Sequence, residues 1–261
     1  MAEGDSAAAA MPLTTDRFLG GRIALRQPRR GHRAGTDAVL LAAAVPAEAQ
    51  GLVLDIGAGV GAAGLAVAAL RPAVAIGLVE RDPALALLAA ENLDINEFAS
   101  RGQVHAVDIF DAAACRSAGL AAGSAAIVIT NPPFFDPSRS RPSPHAGKRA
   151  AHVMPAAGGQ PLADWIARCR ALLASDGLFV MIHRPEVMPV ILAACEGLGE
   201  LGLVPVYPQH GKPASRILVR GRKGSRAPVS LAPPIFLHEG DKFSAEAEAI
   251  HRGDMLINFG R

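Results

Sequence analysis

The residues best suited to do chemistry form the run Thr130-Asn131-Pro132-Pro133-Phe134. It follows the apolar stretch 126–130, so it stands where a strand ends and the chain turns. An asparagine side-chain oxygen next to a proline carbonyl gives two acceptors, and proline adds no competing N–H. An exocyclic amine on a conjugated ring needs such a pair. Its lone pair is delocalised into the ring, and holding both hydrogens favours the pyramidal, nucleophilic form. Phe134 adds a face on which a planar substrate can stack. The plain alternative is a rigid Asn-Pro turn at a strand end.

A second candidate is Val53-Leu54-Asp55-Ile56-Gly57-Ala58-Gly59-Val60-Gly61, which ends a strand and opens a helix. Glycines there let a ligand approach the backbone, and free amides point into the gap. Gly59-Val60-Gly61-Ala62-Ala63-Gly64 also satisfies G-x-G-x-x-G, with Glu80 nineteen residues past Gly61, so a nicotinamide oxidoreductase stays open. Asp55 weighs against it. A carboxylate just before the first glycine would repel a diphosphate but suits a ligand bearing an ammonium, such as S-adenosylmethionine. Glu80 ends the next strand, where an acid can accept both ribose hydroxyls. Asp108, after the third, can receive the adenine amine, though it or Asp111 could be a helix cap.

Strand-length apolar runs at 52–56, 74–79, 104–109, 126–130 and 178–182 alternate with helical stretches at 61–70, 83–96, 162–174 and 186–198. This order predicts a parallel sheet with right-handed crossovers, placing the glycine loop and Asn131 on one edge. Pro83 suits a first helical turn and Gly177 a left-handed helix end. Runs 203–207 and 216–219 have too short a connection for a crossover and predict a closing antiparallel hairpin. The expected fold is a Rossmann-like α/β domain at 17–226, after a disordered tail at 1–16 and before an extension at 227–261. Ser244, ahead of Glu246 and Glu248, marks a short capped helix in that extension.

The chain's 261 residues are 50% hydrophobic, enough for one sizeable core. Cys115, Cys169 and Cys195 form no C-x-x-C pair and leave an odd thiol, as in a reducing compartment. No signal sequence or bilayer-length apolar segment is evident, and the expected location is the cytoplasm. The histidines lack metal-ligand spacing, so no metal site is expected. Trp165, Tyr207 and His183 read as core residues.

At these motifs the chain resembles the bacterial adenine-specific methyltransferases that modify valine tRNA beside the anticodon. The resemblance spans about residues 31–219 and rests on Gly35-Thr36-Asp37-Ala38-Val39-Leu40-Leu41, Asp55 to Gly61, Glu80, Asp108 and Asn131-Pro132-Pro133-Phe134-Phe135. Phe134 and Phe135 stand where tyrosines are usual. The resemblance implies a seven-stranded class I fold with Thr36 and Asp37 at the methionine end of S-adenosylmethionine. Asp55, Gly57, Gly59, Gly61, Glu80 and Asp108 would hold the rest of the cofactor, and Asn131, Pro132, Pro133 and Phe134 the target base. Methyltransferases of ribosomal RNA guanine, DNA adenine and release-factor glutamine share the Asn-Pro-Pro-aromatic arrangement and remain alternatives, as does a non-catalytic RNA-binding protein.

Three basic stretches suggest a cationic rim for RNA. Residues 17–33 hold six arginines and no acid. Arg139, Arg141, Lys148 and Arg149 follow the motif within a Pro/Ser/Arg-rich loop at 136–161. Lys212, Arg216, Arg220, Arg222, Lys223 and Arg226 surround the closing hairpin. Aromatic residues make up only 4% of the chain, which favours a single flipped or looped-out base over an extended stacking platform.

Overall fold

The computed structural model describes residues 12–30, 33–133 and 161–260. Its centre is a sheet in which β3 (Gly51–Ile56), β4 (Val74–Val79), β5 (Gly102–His105), β6 (Ala125–Thr130) and β7 (Leu173–His183) run parallel. β8 (Leu198–Tyr207) and β9 (Arg216–Lys223) form the expected hairpin, with β9 antiparallel to β7. The spatial order is β8-β9-β7-β6-β3-β4-β5. These seven strands are the expected fold; β10 (Ser230–Leu231) and β11 (Ile235–Phe236) each pair parallel with β8 and widen the sheet to nine.

Both faces are covered, which is why the central strands read as continuous apolar runs and not as alternations. α1 (Thr36–Ala43), α2 (Ala62–Leu70), α3 (Pro83–Ile95) and α7 (Ala245–Arg252) pack with Val53, Ile76, Ile127 and Val180. α4 (Ala112–Ser117), α5 (Pro161–Leu172) and α6 (Met188–Ala194) pack with Leu54, Ile56, Val128 and Phe179 on the other face. Asp82 caps α3 ahead of Pro83, and Ser244 caps α7 through the Ala247 N–H.

Three expectations are corrected. The left-handed residue before the buried part of β7 is Asp176 (φ 66°), not Gly177. Gly177 is required for room, because a Cβ there would lie 2.9 Å from the Ala174 carbonyl oxygen. The third strand stops at His105, since Asp108 turns the chain by accepting the Phe110 N–H at 2.9 Å. Residues 1–11 of the expected tail lie outside the described residues, and regular structure begins at Leu13, ahead of the expected start at 17. β1 (Leu13–Phe18) and β2 (Ile23–Pro28) form an antiparallel hairpin, with Ile23 and Leu25 buried.

The free edge of β2 is matched by side chains. Asn92 accepts the Arg26 N–H (2.8 Å) and donates to the carbonyls of Arg26 and Val60 (both 2.9 Å). One turn later Asn96 pairs with Ala24 in the same way, at 2.8 Å in each direction. Two amides at i and i+4, at the end of α3, thus substitute for a neighbouring strand. They also join the hairpin to Val60 in the glycine loop. Asn92 is fully buried, so Asn92→Ala leaves backbone groups without partners and should cost about 1–3 kcal/mol of stability, read from the urea midpoint.

Candidate active site

Thr130, Ile56 and Val79 are register partners across β6, β3 and β4. Asn131, Gly57 and Glu80 therefore leave adjacent strands at one level, on the carboxyl edge of the sheet. The glycine loop is held there by the Gly57 and Ala58 N–H groups, which both donate to the Val79 carbonyl (2.9 and 3.0 Å). Gly57, Gly59 and Gly61 all have left-handed backbones (φ 75°, 57° and 89°), a conformation other residues enter only with strain. A Cβ at Gly57 would press on the Trp165 ring at 3.1 Å, whereas one at Gly59 would project into open space. The middle of the loop is thus a bare backbone cradle above the strand ends. Gly64 serves packing instead, since a Cβ there would overlap Leu78 Cδ2.

Carboxylates surround this cradle. Glu80 Oε2 accepts the Gly59 N–H and Oε1 the Asp82 N–H, each at 2.8 Å. Asp111 is the cap of α4, which leaves Asp108 at the edge with its other oxygen 3.9 Å from Arg81. Asp37, in the first turn of α1, pairs with Arg216 Nε at 2.9 Å, and Thr36 Oγ1 lies 3.1 Å from His251 Nε2. Asp55 is buried at 2% exposure, with Oδ2 accepting the Gly64 N–H at 2.9 Å, so it anchors the first turn of α2 beneath the loop.

Desolvation, with Glu80 as a like charge, pushes the Asp55 carboxyl up to about 7. Its folded pKa thus exceeds the unfolded value of 3.8, and between these pH values the folded chain binds the extra proton. The carboxyl's contribution to stability is therefore present below about 4 and lost as pH rises through 7. Asp55→Asn should flatten that decline, giving a variant that gains on the wild type in melting temperature from pH 5 to pH 8. Equal slopes for the two proteins would contradict this protonation.

The second wall of the cleft is fixed from below. Trp165 Nε1–H donates to Thr130 Oγ1 (3.0 Å), and that hydroxyl donates to the Ile56 carbonyl (2.8 Å). The strand end carrying Asn131 is thereby tied to the strand end carrying Gly57. Pro132 is buried, and Asn131 and Pro133 are half-buried. Phe134, Phe135 and residues 136–160 of the expected loop lie outside the described residues, and Pro161 already belongs to α5. Trp165, expected as core, is also this tether. The sequence carried no signal for Arg216 or His251 as partners of Asp37 and Thr36, because both arrive from the far end of the chain.

Burial pushes His183, at the end of β7, down to about 4 and keeps it neutral. All three cysteines are buried and free, and desolvation raises the Cys195 thiol to about 11. Among the described residues no histidine, cysteine, aspartate or glutamate cluster could hold a metal, and no helix is long and apolar enough to cross a membrane.

The basic rim is smaller than the sequence suggests, because β9 runs down the sheet away from the site. Arg220 lies over the Phe259 ring at 4.1 Å, Arg222 pairs with Glu200, and Lys223 donates to the carbonyls of Arg170 and Leu173. Arg22 and Arg26 pair with Asp254 and Glu91. Arg33 pairs with Asp16 and Arg216 with Asp37, while Arg29 and Arg30, ahead of α1, and Lys212, in the β8–β9 turn, are exposed.

Residues 33–147 match the family model of the methyltransferase small domain. The tRNA1(Val) (adenine(37)-N6)-methyltransferase of Pectobacterium carotovorum is 32% identical over 218 residues, 80% of this chain and 82% of its own length. The chain belongs to that methyltransferase family. Among solved structures, a predicted O-methyltransferase, protein Atu636 from Agrobacterium tumefaciens, superposes with a TM-score of 0.70 at 31% identity. That match covers 85% of this chain and 98% of the other. TYW2 of M. jannaschii, solved with AdoMet, shares the fold alone (TM-score 0.55, 12% identity, covering 80% and 85%). Family membership makes the chain an S-adenosylmethionine-dependent methyltransferase and removes the oxidoreductase alternative. The site fits that cofactor: the open backbone at Gly59 admits a ligand, and the ring of carboxylates suits a cationic, hydroxyl-bearing molecule and would repel a diphosphate.

Proposed function

We propose that this enzyme methylates the exocyclic N6 amine of an adenine in tRNA, next to the anticodon. The observation that carries this reading is the register that sets Asn131-Pro132 beside Gly57 at one level of the sheet. S-adenosylmethionine, when bound, supplies an electrophilic methyl group. In this reading Thr36 and Asp37 face its methionine end, Glu80 its ribose hydroxyls and Asp108 its adenine. The Asn131 side-chain oxygen and the Pro132 carbonyl accept the two hydrogens of the target amine and turn its lone pair toward the cleft. Phe134 stacks on the base. Positioning supplies most of the rate, and the proton leaves to water afterwards.

The Agrobacterium neighbour is a predicted O-methyltransferase, but two hydrogen-bond acceptors side by side suit an amine. A hydroxyl carries one hydrogen and needs a base, and His183, the imidazole ending β7, is buried and held at about 4. The arginines entering α1 and Lys212 support a phosphate-bearing substrate, and the three free, buried cysteines support a reducing, cytoplasmic setting.

The test is transfer of labelled methyl from S-adenosylmethionine into unmodified tRNA, followed by digestion to nucleosides. The expected product is N6-methyladenosine. Label in guanosine, in a ribose hydroxyl or only in protein would overturn the reading.

A further inference from the structure

The C-terminal extension brings a set of stacked rings to the catalytic edge. Tyr207 ends β8, and its register partner is Phe236 of β11, with ring centroids 5.3 Å apart. His210, in the β8–β9 turn, lies on Phe236 at 3.7 Å and 17°, so three rings form one column. Beside it β12 (His238–Glu239) pairs with β13 (Lys242–Phe243). There Phe243 is flanked by His238 (4.9 Å) and His251 (4.3 Å), the latter being the residue that reaches Thr36. The backbone binds the columns together: the Leu237 and His238 N–H groups donate to the carbonyls of Tyr207 and Pro208, both at 2.9 Å.

These rings are not core. His210 is exposed and Phe243 is 42% exposed, and neither column is needed to close the sheet. β8 runs parallel to β7, because both are antiparallel to β9. Tyr207 therefore lies on the same edge as Asn131, three strand spacings across and three residues further along, or ~17 Å away. That span is within reach of a nucleotide near the target in the same RNA strand. Charge orients such a strand. Lys212 is two residues past His210, while the β12–β13 turn carries exposed Glu239 and Asp241 against the single cation Lys242, so phosphates are drawn to the Lys212 side.

We infer that the exposed ring of His210, backed by Phe236 and Tyr207, stacks a base near the target adenine in the same strand of the substrate RNA. The inference rests on the tRNA reading above. The column is already assembled, so a base that extends it orders little protein on binding, and stacking is indifferent to base identity.

The experiment measures the affinity of an unmodified tRNA transcript, and the KM and kcat of its methylation, for the wild type, His210→Ala and His210→Phe. His210→Ala should weaken RNA binding and raise the RNA KM by about 5- to 100-fold, with cofactor affinity and kcat at saturating RNA unchanged. His210→Phe should restore binding. Wild-type affinity in His210→Ala, or loss in His210→Phe equal to that in His210→Ala, overturns the stacking site while wild-type methylation upholds the tRNA reading. A wild-type enzyme that neither binds nor methylates tRNA fails the tRNA reading first and takes the stacking site with it.

Discussion

Asn131→Ala should lower kcat for methyl transfer by about 10²–10³-fold, the usual loss on removing one preorganised hydrogen-bonding group from a reacting centre. The affinity for S-adenosylmethionine should stay within a few-fold of wild type. The asymmetry follows from geometry. Asn131 leaves β6 beside the glycine loop, but the bonds that hold the loop are made by Gly57, Ala58, Gly59 and Glu80, none of which uses the Asn131 side chain. The Trp165–Thr130–Ile56 tether lies below Asn131 and survives the substitution, so the strand end keeps its place. Asn131→Asp provides a second reading. It keeps an acceptor oxygen and adds a charge beside an already acidic cleft, so it should retain more activity than alanine but less than the wild type. Calorimetry for cofactor binding and single-turnover transfer for chemistry separate the two effects. Parallel loss of both would place Asn131 in the cofactor cradle and end its assignment to the target amine.

What the sequence made legible, and what it concealed, divides along the range of the interactions involved. β4 at Val74–Val79 and the start of α3 at Pro83 could be read because a buried parallel strand is an unbroken apolar run and proline marks a first turn. Asn131, Gly57 and Glu80 were legible as neighbours because strand order alone brings strand ends to one edge. β1 and β2 were missed because arginines at 17, 22 and 26 interrupt the pattern. Those side chains face outward while Ile23 and Leu25 point inward, and Asn92 and Asn96 supply the edge from another element. The basic rim was overread for a related reason. Arg220, Arg222 and Lys223 look free in a list of charges, yet strand register carries them down β9 to an aromatic ring, a carboxylate and backbone carbonyls. The extension at 227–261 could be read only at its Ser244 cap. Its larger role, pairing with β8 and joining His251 to Thr36 across 215 positions, depends on contacts between separate elements, which no local pattern encodes.

Glu80→Ala should do the reverse of Asn131→Ala, weakening S-adenosylmethionine binding by roughly 10- to 150-fold, the equivalent of ~1.5–3 kcal/mol for hydrogen bonds to a charged group. At saturating cofactor, kcat should stay within a few-fold. The carboxylate holds the cradle as well as facing the ligand, because its two oxygens accept the N–H groups of Gly59 and Asp82. This dual role makes Glu80→Gln the more informative variant. A glutamine keeps the size and one acceptor, but its amide nitrogen must then face one of those two backbone donors. The conservative change should therefore lose most of what alanine loses. A glutamine variant that binds the cofactor as tightly as wild type would mean that charge and double acceptance at this position are dispensable, and the ribose-facing role would have to move to another carboxylate of the edge, with Asp108 first in line.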